Sequence, residues 1–325
     1  MLAIRKLDTI SGLAALSEGL AALHNEAYRD LPNFRPVQAQ EFVDKAKADR
    51  RWPARLLFVA EDDAPCGFVS IEPTWAARSA GDLYPYVGGE IVLQASAVPA
   101  AGADDEVQGR LLRRAMRELA SRGQQRMQVM VPAEASYLNA LFAREGFREH
   151  RRLFSLRAKV GAQRMSPAPC TTRVMREQDL PAVLELHNRR FAGLHKAYGW
   201  EDVRPEDVTL LQNTARGCDP KGFLVAEADG EIVGYVTAMA DEAFNAAHGL
   251  KRGFLALGPL GMAVSSFTAP AVSTGLALAA LTSLAARGCT EAELVAEADD
   301  QAGLRFFADL GFKPVTEWVV LAARL

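Results

Sequence analysis

One short phrase occurs twice in the chain, as FAREGF at 142–147 and as FADLGF at 307–312. In both copies a short helix-like segment precedes the phrase and a strand-like run follows it. The glycine stands where helices commonly end. The copies are 165 residues apart (307 minus 142). A helix-to-strand corner repeated at this distance predicts that the chain contains one domain twice.

Other segment pairs support this duplication, since they keep the same order and lie 163 to 167 residues apart. The pairs are LHN at 23–25 and 186–188, LLFVAEDDAPCGFVS at 56–70 and FLVAEADGEIVGYVT at 223–237, and ELASRG at 118–123 and SLAARG at 283–288. At 325 residues, the chain is long enough for two domains that each bury a core.

Each repeat predicts the same elements: a short strand and a helix, three strands, a helix, a strand, a short helix and a last strand. The predicted strands are 55–62, 66–74, 89–98 and 125–132 in the first repeat, and 222–228, 231–239, 254–264 and 290–297 in the second. The predicted later helices are 105–122, 136–145, 271–287 and 301–310. Prolines and small polar residues predict a linker at 159–170, between domains at 1–158 and 171–325.

The composition is that of a globular protein, with 49% hydrophobic and 24% charged residues, and the net charge of -3 does not indicate nucleic-acid binding. The four cysteines, Cys66, Cys170, Cys218 and Cys289, never form a CxxC pair, which predicts neither a zinc site nor a disulfide framework. The N-terminus has charged residues among its first six and lacks the apolar core of a signal peptide. We therefore expect a cytoplasmic protein without bound metal.

A long uncharged stretch allows two interpretations, since residues 253–286 contain no Lys, Arg, Asp or Glu. A membrane span needs about 20 strongly apolar residues, and glycines and prolines interrupt this stretch. A buried strand followed by a buried helix is the favoured interpretation, and no membrane partner is expected. Because helix 271–287 is apolar or small on every side, we expect it to be covered by the first domain or by a second subunit of a homodimer.

The order of elements, with a short helix that ends at a Gly-Phe pair, resembles the GNAT superfamily of acyl-CoA-dependent N-acyltransferases, in a tandem form with degenerate cofactor motifs. The resemblance implies an α+β fold of two GNAT-like domains, each a mixed, mostly antiparallel sheet with helices on both faces. It also implies acetyl-CoA as acyl donor and a primary amine of a small molecule or peptide as acceptor.

In the resembled family a (Gln/Arg)-x-x-Gly-x-(Gly/Ala) turn at a helix start holds the pyrophosphate of coenzyme A through backbone N–H groups. In the first repeat Asp104, Asp105 and Glu106 stand at the helix start, where they would repel a diphosphate. The second repeat keeps the end of the pattern and lacks charge there, which favours it as the acyl-CoA domain. A Ser/Thr-capped buried helix is the alternative interpretation. The cofactor contacts implied by the resemblance are Met262, Val264, Ser273, Thr274, Gly275, Leu276, Ala277, Asp300 and Phe307.

For the chemistry, the resembled family often uses a carboxylate on the fourth strand as base and a Tyr four residues before the Gly-Phe glycine as acid. At the positions of that Tyr, this chain has Phe142 and Phe307, whose side chains have no proton to donate. Both residues also fit the apolar face of a short helix. The first repeat offers Glu90 as the base, with a solvent-facing edge carboxylate as the alternative. The equivalent strand of the second repeat has no acid.

The acceptor side is expected at the first helices and at the loop before the fourth strand. Candidate lining residues there are His24, Tyr28, Tyr84, Tyr86, His187, His195, Tyr198 and Trp200. For the histidines, an ordinary half-exposed position on the helix is the alternative interpretation, and neither cluster identifies a substrate. The leading hypothesis is a tandem N-acyltransferase whose second domain binds acetyl-CoA, while the first is structural or helps to close the substrate site. The alternative is a catalytically inactive GNAT-like ligand-binding or scaffold protein.

Overall fold

The structure is a computed structural model of the whole chain, and it divides into two compact units. Unit 1 comprises Met1–Arg151 and Trp318–Leu325, and unit 2 comprises Arg152–Glu317. The residues that the structure describes are 2–29, 36–48, 56–73, 89–92, 105–124, 126–161, 171–198, 202, 205, 220–240, 245–246, 249–256 and 270–325. Most of the predicted linker at 159–170 therefore lies outside the described residues.

Unit 1 contains a mixed sheet with helices packed on it. Its strands are β1 (Ala3–Lys6), β2 (Leu56–Glu61), β3 (Pro65–Pro73), β4 (Gly89–Val92), β5 (Arg126–Pro132) and part of β12 (Lys313–Arg324), in the order β1-β2-β3-β4-β5-β12. Its helices are α1 (Ile10–Tyr28), α2 (Ala39–Ala48), α3 (Asp105–Ser121) and α4 (Ser136–Arg144). The β4–β5 pair is parallel and the other described pairs of this sheet are antiparallel.

Unit 2 repeats this arrangement. Its strands are β7 (Thr171–Val174), β8 (Phe223–Ala228), β9 (Glu231–Met239), β10 (Arg252–Ala256), β11 (Glu291–Glu297) and part of β6 (Arg148–Lys159), in the order β7-β8-β9-β10-β11-β6. Its helices are α5 (Leu180–Tyr198), α6 (Pro270–Ala286) and α7 (Gln301–Asp309). The β10–β11 pair is parallel and its other described pairs are antiparallel. In each unit, a mixed and mostly antiparallel set of strands with helices packed on it thus confirms the predicted fold class.

The compact units do not coincide with the two sequence repeats. The last strand of the first repeat pairs with β11 of unit 2 from Leu153 to Lys159, and the last strand of the second repeat pairs with β5 of unit 1 from Trp318 to Arg324. Each repeat therefore supplies the final strand of the other unit's sheet. The predicted domain bounds describe the duplicated segments and not these compact units.

Both faces of the sheet are covered in unit 1, because alternate residues of a strand point to opposite faces. Phe58 and Ala60 of β2 belong to a core with residues of α3 and α4. Leu57 and Val59, one residue along, belong to a core with residues of α1 and α2. In unit 2, Val236 and Ala238 of β9 belong to a core with residues of α6 and α7, and α5 lies against β9.

The Gly-Phe corners have the conformation that the repeated phrase predicts. Gly146 and Gly311 have positive φ angles of 88° and 89°, a conformation that glycine adopts without steric cost. The Phe147 N–H donates to the Phe142 carbonyl (3.0 Å), and the Phe312 N–H donates to the Phe307 carbonyl (2.9 Å). These bonds close the last turn of α4 and α7 as in a Schellman motif.

Helix α6 is less covered than its sequence predicts. Ala271, Thr282, Ala285 and Ala286 are exposed, so the described part of the chain does not bury the helix on every side. The expectation that a second subunit covers this side stays a prediction. Among the described residues, none of the helices combines the length and the apolarity that crossing a membrane requires.

Candidate functional site

The candidate site lies at the carboxyl end of the parallel strand pair of unit 2. The described β10–β11 pairing runs from Arg252–Glu291 to Phe254–Glu293, whereas β11 continues to Glu297. Helix α6 follows β10 in the chain and α7 follows β11. Since the two strands are parallel, both helices begin at the same edge of the sheet, where ligands of open α/β sheets bind.

Helix α6 begins earlier than the predicted phosphate turn. Its first residue is Pro270, and proline is favoured at the first helical position because its missing N–H would have no partner there. The N–H groups without an intrahelical acceptor are those of the first four residues. Gly275, Leu276 and Ala277 lie beyond them, and their N–H groups donate within the helix. The predicted cofactor pattern at 272–277 therefore lies within the helix, and the N–H groups that an anion could reach lie in its first turn.

The remaining predicted cofactor residues fall into different environments. Ser273 is buried and Thr274 is half-buried in the first turns of α6. Leu276 and Phe307 belong to the apolar core of unit 2, and the Phe307 ring packs edge-on against Phe312 with 5.7 Å between centroids. Met262 and Val264 lie outside the described residues.

Asp300 caps the start of α7. Its Oδ1 accepts a hydrogen bond from the Gly303 N–H (2.9 Å), which satisfies one unpaired donor of the first turn. Its Oδ2 is buried and has no hydrogen-bond partner among the described residues. A Cβ at position 303 would lie 2.2 Å from this oxygen, so a larger residue there would displace the Asp300 carboxylate.

The corresponding end of unit 1 is closed by side chains. Helices α3 and α6 have 17 residues each, and α4 and α7 have nine each, all offset by 165 (270 minus 105 and 301 minus 136). In unit 1 the Tyr137 hydroxyl of α4 donates to Gln108 Oε1 of α3 at 2.7 Å. The equivalent residues of unit 2, 165 positions later, are Ser273 and Ala302, which are too short to form this bridge.

A second contact joins the same two helices of unit 1 further from their starts. Arg113 of α3 forms an ion pair with Glu145 at the end of α4, with 2.7 Å between Nη1 and Oε1. The equivalent residues of unit 2 are Leu278 and Leu310. Glu106 is exposed in the first turn of α3, so the helix start of unit 1 also carries negative charge.

The candidate base Glu90 lies in β4 of unit 1. The register places it across from Glu72 of β3 and Gln128 of β5. Gln128 is buried and alternates with Met127 and Val129, which face the core against α3 and α4. The side chain of Glu90 and the whole of Tyr84 and Tyr86 lie outside the described part of the chain, so the role of Glu90 stays a prediction.

On the acceptor side, the structure brings His187 of α5 to Tyr235 of β9. The His187 Nδ1 and the Tyr235 hydroxyl share a hydrogen bond, and both residues are buried. Burial raises the pKa of Tyr235 well above its ordinary value, so the phenol stays protonated. Phe223 of β8 stacks on the Tyr235 ring with 6.2 Å between centroids. The side chains of Tyr28, His195, Tyr198 and Trp200 lie outside the described residues.

Sequence reasoning identified His187 but missed Tyr235. The only signal was the repeat alignment, in which GYVT at 234–237 matches GFVS at 67–70. In unit 1 the equivalent residues are His24 and Phe68, and Phe42 of α2 packs edge-on against both rings, at 6.2 and 6.0 Å. The hydroxyl that pairs with the histidine is therefore particular to unit 2.

An ion-pair network fixes the start of α5. Arg173 of β7 contacts Asp179 at 2.5 Å and Glu227 of β8 at 2.8 Å. Asp179 also accepts from the Arg176 N–H at 2.7 Å. The hydrogen bond from Arg173 is the main cause that lowers the pKa of Asp179. The network thereby sets where α5, with His187, meets the sheet.

A buried carboxylate lies beside the last described pair of the β10–β11 ladder. Glu293 of β11 contacts Arg157 of β6 at 3.0 Å and Arg252 of β10 at 3.5 Å. Glu293 thus joins β6, β11 and β10 through a buried ion-pair cluster. This arrangement supports the strand ends at the candidate site.

Comparison with known proteins identifies the fold. No family model matches the chain. A GCN5-related N-acetyltransferase from Sphaerobacter thermophilus is 15% identical with a TM-score of 0.67, and the match covers 99% of this chain and 95% of that one. A tandem GNAT protein from the clavulanic acid biosynthesis pathway is 15% identical with a TM-score of 0.68, covering 100% and 98%.

A sequence relative that matches a shorter segment is also an N-acetyltransferase. A phosphinothricin N-acetyltransferase from Alcaligenes faecalis is 32% identical over 81 residues, which make up 25% of this chain and 40% of that relative. The chain thus spans less than half the length of this curated relative.

Proposed function

Because the chain has the tandem fold of GNAT N-acetyltransferases, we propose that it transfers an acyl group, in the first place acetyl, from acetyl-CoA to a primary amine. Unit 2 holds the acyl donor in this proposal. The observation that carries it is the difference between the two helix starts. The first turn of α6 is uncharged, whereas α3 starts with acidic residues and is bridged to α4.

The start of α6 suits a diphosphate. The unpaired N–H groups and the partial positive charge of a 17-residue helix favour an anion at its first turn. Ala271 and Val272 add no opposing charge and little bulk. In unit 1, Glu106 would repel the same group, and the Gln108–Tyr137 bridge occupies the space between the helix starts.

The start of α7 suits the amide part of an acyl-CoA. The pantetheine arm carries amide N–H groups, and the buried Oδ2 of Asp300 has no partner among the described residues. A carboxylate oxygen in this state gains a hydrogen bond when an amide donor arrives. Asp300 would then serve both the helix cap and the ligand.

The transfer itself needs little from Phe307. When bound, acetyl-CoA supplies an activated acyl group on a thiol whose ordinary pKa is about 8.5, so the thiolate can leave near neutral pH without a donor. Phe307 is 1% exposed, and its role is packing. Glu90 belongs to unit 1, so our proposal for unit 2 does not use it as the base.

The test is calorimetry of acetyl-CoA with the full chain and with Ala271→Glu. A carboxylate in the first turn of α6 opposes the diphosphate and should weaken binding at least tenfold. Position 271 is exposed, and an acid near a helix start does not destabilise the helix.

The matched control is Ala285→Glu, which places the same charge at another exposed position of α6. It lies 14 residues further on, about 21 Å along the helix, beyond the Debye length of about 8 Å. Its affinity should equal that of the wild type. No heat with the wild-type chain at high micromolar acetyl-CoA would favour the inactive scaffold, and equal weakening by both variants would move the site away from α6.

A further inference from the structure

The face of β9 that lies toward α5 carries a buried hydroxyl group that no other described residue hydrogen-bonds. Tyr235 and Thr237 alternate with Val236 and Ala238, which face the core against α6. Thr237 is 6% exposed, and its Oγ1 has no hydrogen-bond partner in the described part of the chain. Leaving a buried hydroxyl unpaired is unfavourable, so a ligand that pairs with it gains a hydrogen bond.

The position of Thr237 connects it to the candidate site. The register places it between Phe223 of β8 and Ala256 of β10. Ala256 lies two residues beyond Phe254, the last β10 residue that pairs with β11 in the described ladder. The Thr237 hydroxyl therefore lies beside the strand end where the parallel ladder has ended, on the sheet face that carries α5.

The neighbouring pair keeps this face polar and ordered. Tyr235 lies two residues before Thr237 on the same face and is paired with His187. Stacking on Phe223 restrains the Tyr235 ring, and Phe223 also pairs with Thr237 across the strands. The hydroxyl of Thr237 therefore lies beside packed aromatic side chains.

Resting on the proposed function, we propose that Thr237 binds the acceptor, with its Oγ1 accepting a hydrogen bond from the primary amine. The His187–Tyr235 pair acts as a positioning element for this face. A neutral hydroxyl suits the purpose, because it can hold one amine N–H and leaves the nitrogen lone pair available for attack. The substrate class is a primary amine that enters from the α5 side of unit 2.

The experiment measures thiol release from acetyl-CoA by the full chain with a panel of primary amines, followed by kinetics with the amine that reacts fastest. Thr237→Val, which keeps the shape and removes the hydroxyl, should raise the KM for that amine about tenfold and leave kcat within twofold. The Kd for acetyl-CoA by calorimetry should not change. Thr237→Ser should restore the wild-type KM.

Two controls separate recognition from folding. Ser70→Ala changes the equivalent buried hydroxyl of unit 1 and should leave the amine KM unchanged. The Tm of Thr237→Val should equal or exceed that of the wild type, because an unpaired buried hydroxyl is removed.

Several outcomes would overturn the inference. They are a KM for Thr237→Val within twofold of the wild type, a Thr237→Ser variant as impaired as Thr237→Val, and an equal loss of acetyl-CoA affinity. Acetyl-CoA binding without amine-dependent thiol release would overturn this inference and leave the cofactor proposal standing. Absence of acetyl-CoA binding would overturn the proposed function itself.

Discussion

Unit 1 and unit 2 share one backbone plan, and their side chains differ at the starts of the later helices and on the opposite face of the sheet. Helices α3 and α6 are equal in length, and so are α4 and α7, with the same 165-residue offset. At the helix starts, unit 1 has Gln108 bonded to Tyr137 where unit 2 has serine and alanine. On the opposite sheet face, unit 2 has Tyr235 paired with His187 where unit 1 has Phe68.

This difference separates residues that hold the fold from residues available for chemistry. The apolar positions under the helices are kept apolar in both units, as with Phe142 and Phe307. Unit 1 uses its polar side chains to bond its own helices together. Unit 2 leaves the Asp300 Oδ2 and the Thr237 Oγ1 without partners among the described residues, which is a cost to stability that a ligand would offset.

The largest expected effect concerns a feature that both units share, the buried phenylalanine before each Gly-Phe corner. Phe142 is 0% and Phe307 1% exposed, and each ring packs edge-on against the phenylalanine of its Gly-Phe corner. Replacing either by alanine should lower the free energy of unfolding by about 4 kcal/mol, because each substitution opens a cavity in a closed core. Urea denaturation of the two variants measures this. A much smaller loss for Phe307→Ala would indicate that this side chain borders an open site.

The next effect tests how the first helix of each unit is fixed. Arg5 and Glu61 form an ion pair in unit 1, with Arg5 half exposed, at the positions of Arg173 and Glu227. Unit 2 adds the buried Asp179 to the pair. Arg173→Ala should therefore lower the free energy of unfolding by about 2 kcal/mol, whereas Arg5→Ala should change it by less than about 1 kcal/mol. Urea denaturation at neutral pH compares them.

The pH dependence of the Arg173 effect follows from Asp179. The hydrogen bond from Arg173 lowers the pKa of Asp179 in the folded chain. A depressed carboxyl pKa contributes stability that is fully present above the unfolded pKa of about 3.9 and is lost as the pH falls through the folded pKa. The difference in free energy of unfolding between the wild type and Arg173→Ala should thus become smaller in acid, as urea denaturation at several pH values would measure. If this difference stays constant down to low pH, the ion pair with Asp179 is not what makes Arg173→Ala less stable.

The sequence predicted the fold well because the repeat doubled every signal. The strand pattern LLFVAE at 56–61 recurs as FLVAEA at 223–228, and the structure has strands β2 and β8 at these two places. The exchange of last strands could not be predicted. Because β6 and β12 end equivalent repeats, the alternation of apolar and polar residues in each strand suits the strands of either unit. Which strand β6 and β12 each pair with depends on contacts between residues far apart in the sequence, such as Arg157 with Glu293.

The sequence indicates the candidate site less specifically than the fold. The predicted cofactor contacts at 272–277 lie in the first turns of α6, whose first residue Pro270 is one position before the predicted helix start, and their role stays a prediction. Thr237 carries no sequence signal, since a threonine in a strand is ordinary. Only its burial without a hydrogen-bond partner among the described residues distinguishes it.

The smallest expected effect tests the difference between the helix starts most directly. The double variant Ser273→Gln, Ala302→Tyr would give unit 2 the bridge that Gln108 and Tyr137 form in unit 1. If acetyl-CoA binds between the starts of α6 and α7, the bridge should weaken its affinity about tenfold, which equals about 1.4 kcal/mol. Calorimetry with the full chain measures the change. Because the bridge adds a hydrogen bond between the two helices, the Tm should not fall, so a loss of affinity would not reflect unfolding.

A matched control keeps both positions small. Ser273→Ala with Ala302→Ser changes the same residues without forming a bridge, and its affinity should stay within threefold of the wild type. The reverse change in unit 1, Gln108→Ser with Tyr137→Ala, should not create a second site, because Asp104, Asp105 and Glu106 still oppose a diphosphate there. Wild-type affinity in the bridged variant would show that the space between the helix starts is not where the acyl donor binds. Two acetyl-CoA molecules bound per chain after the reverse change would show that the bridge, and not the acidic helix start, is what keeps unit 1 closed.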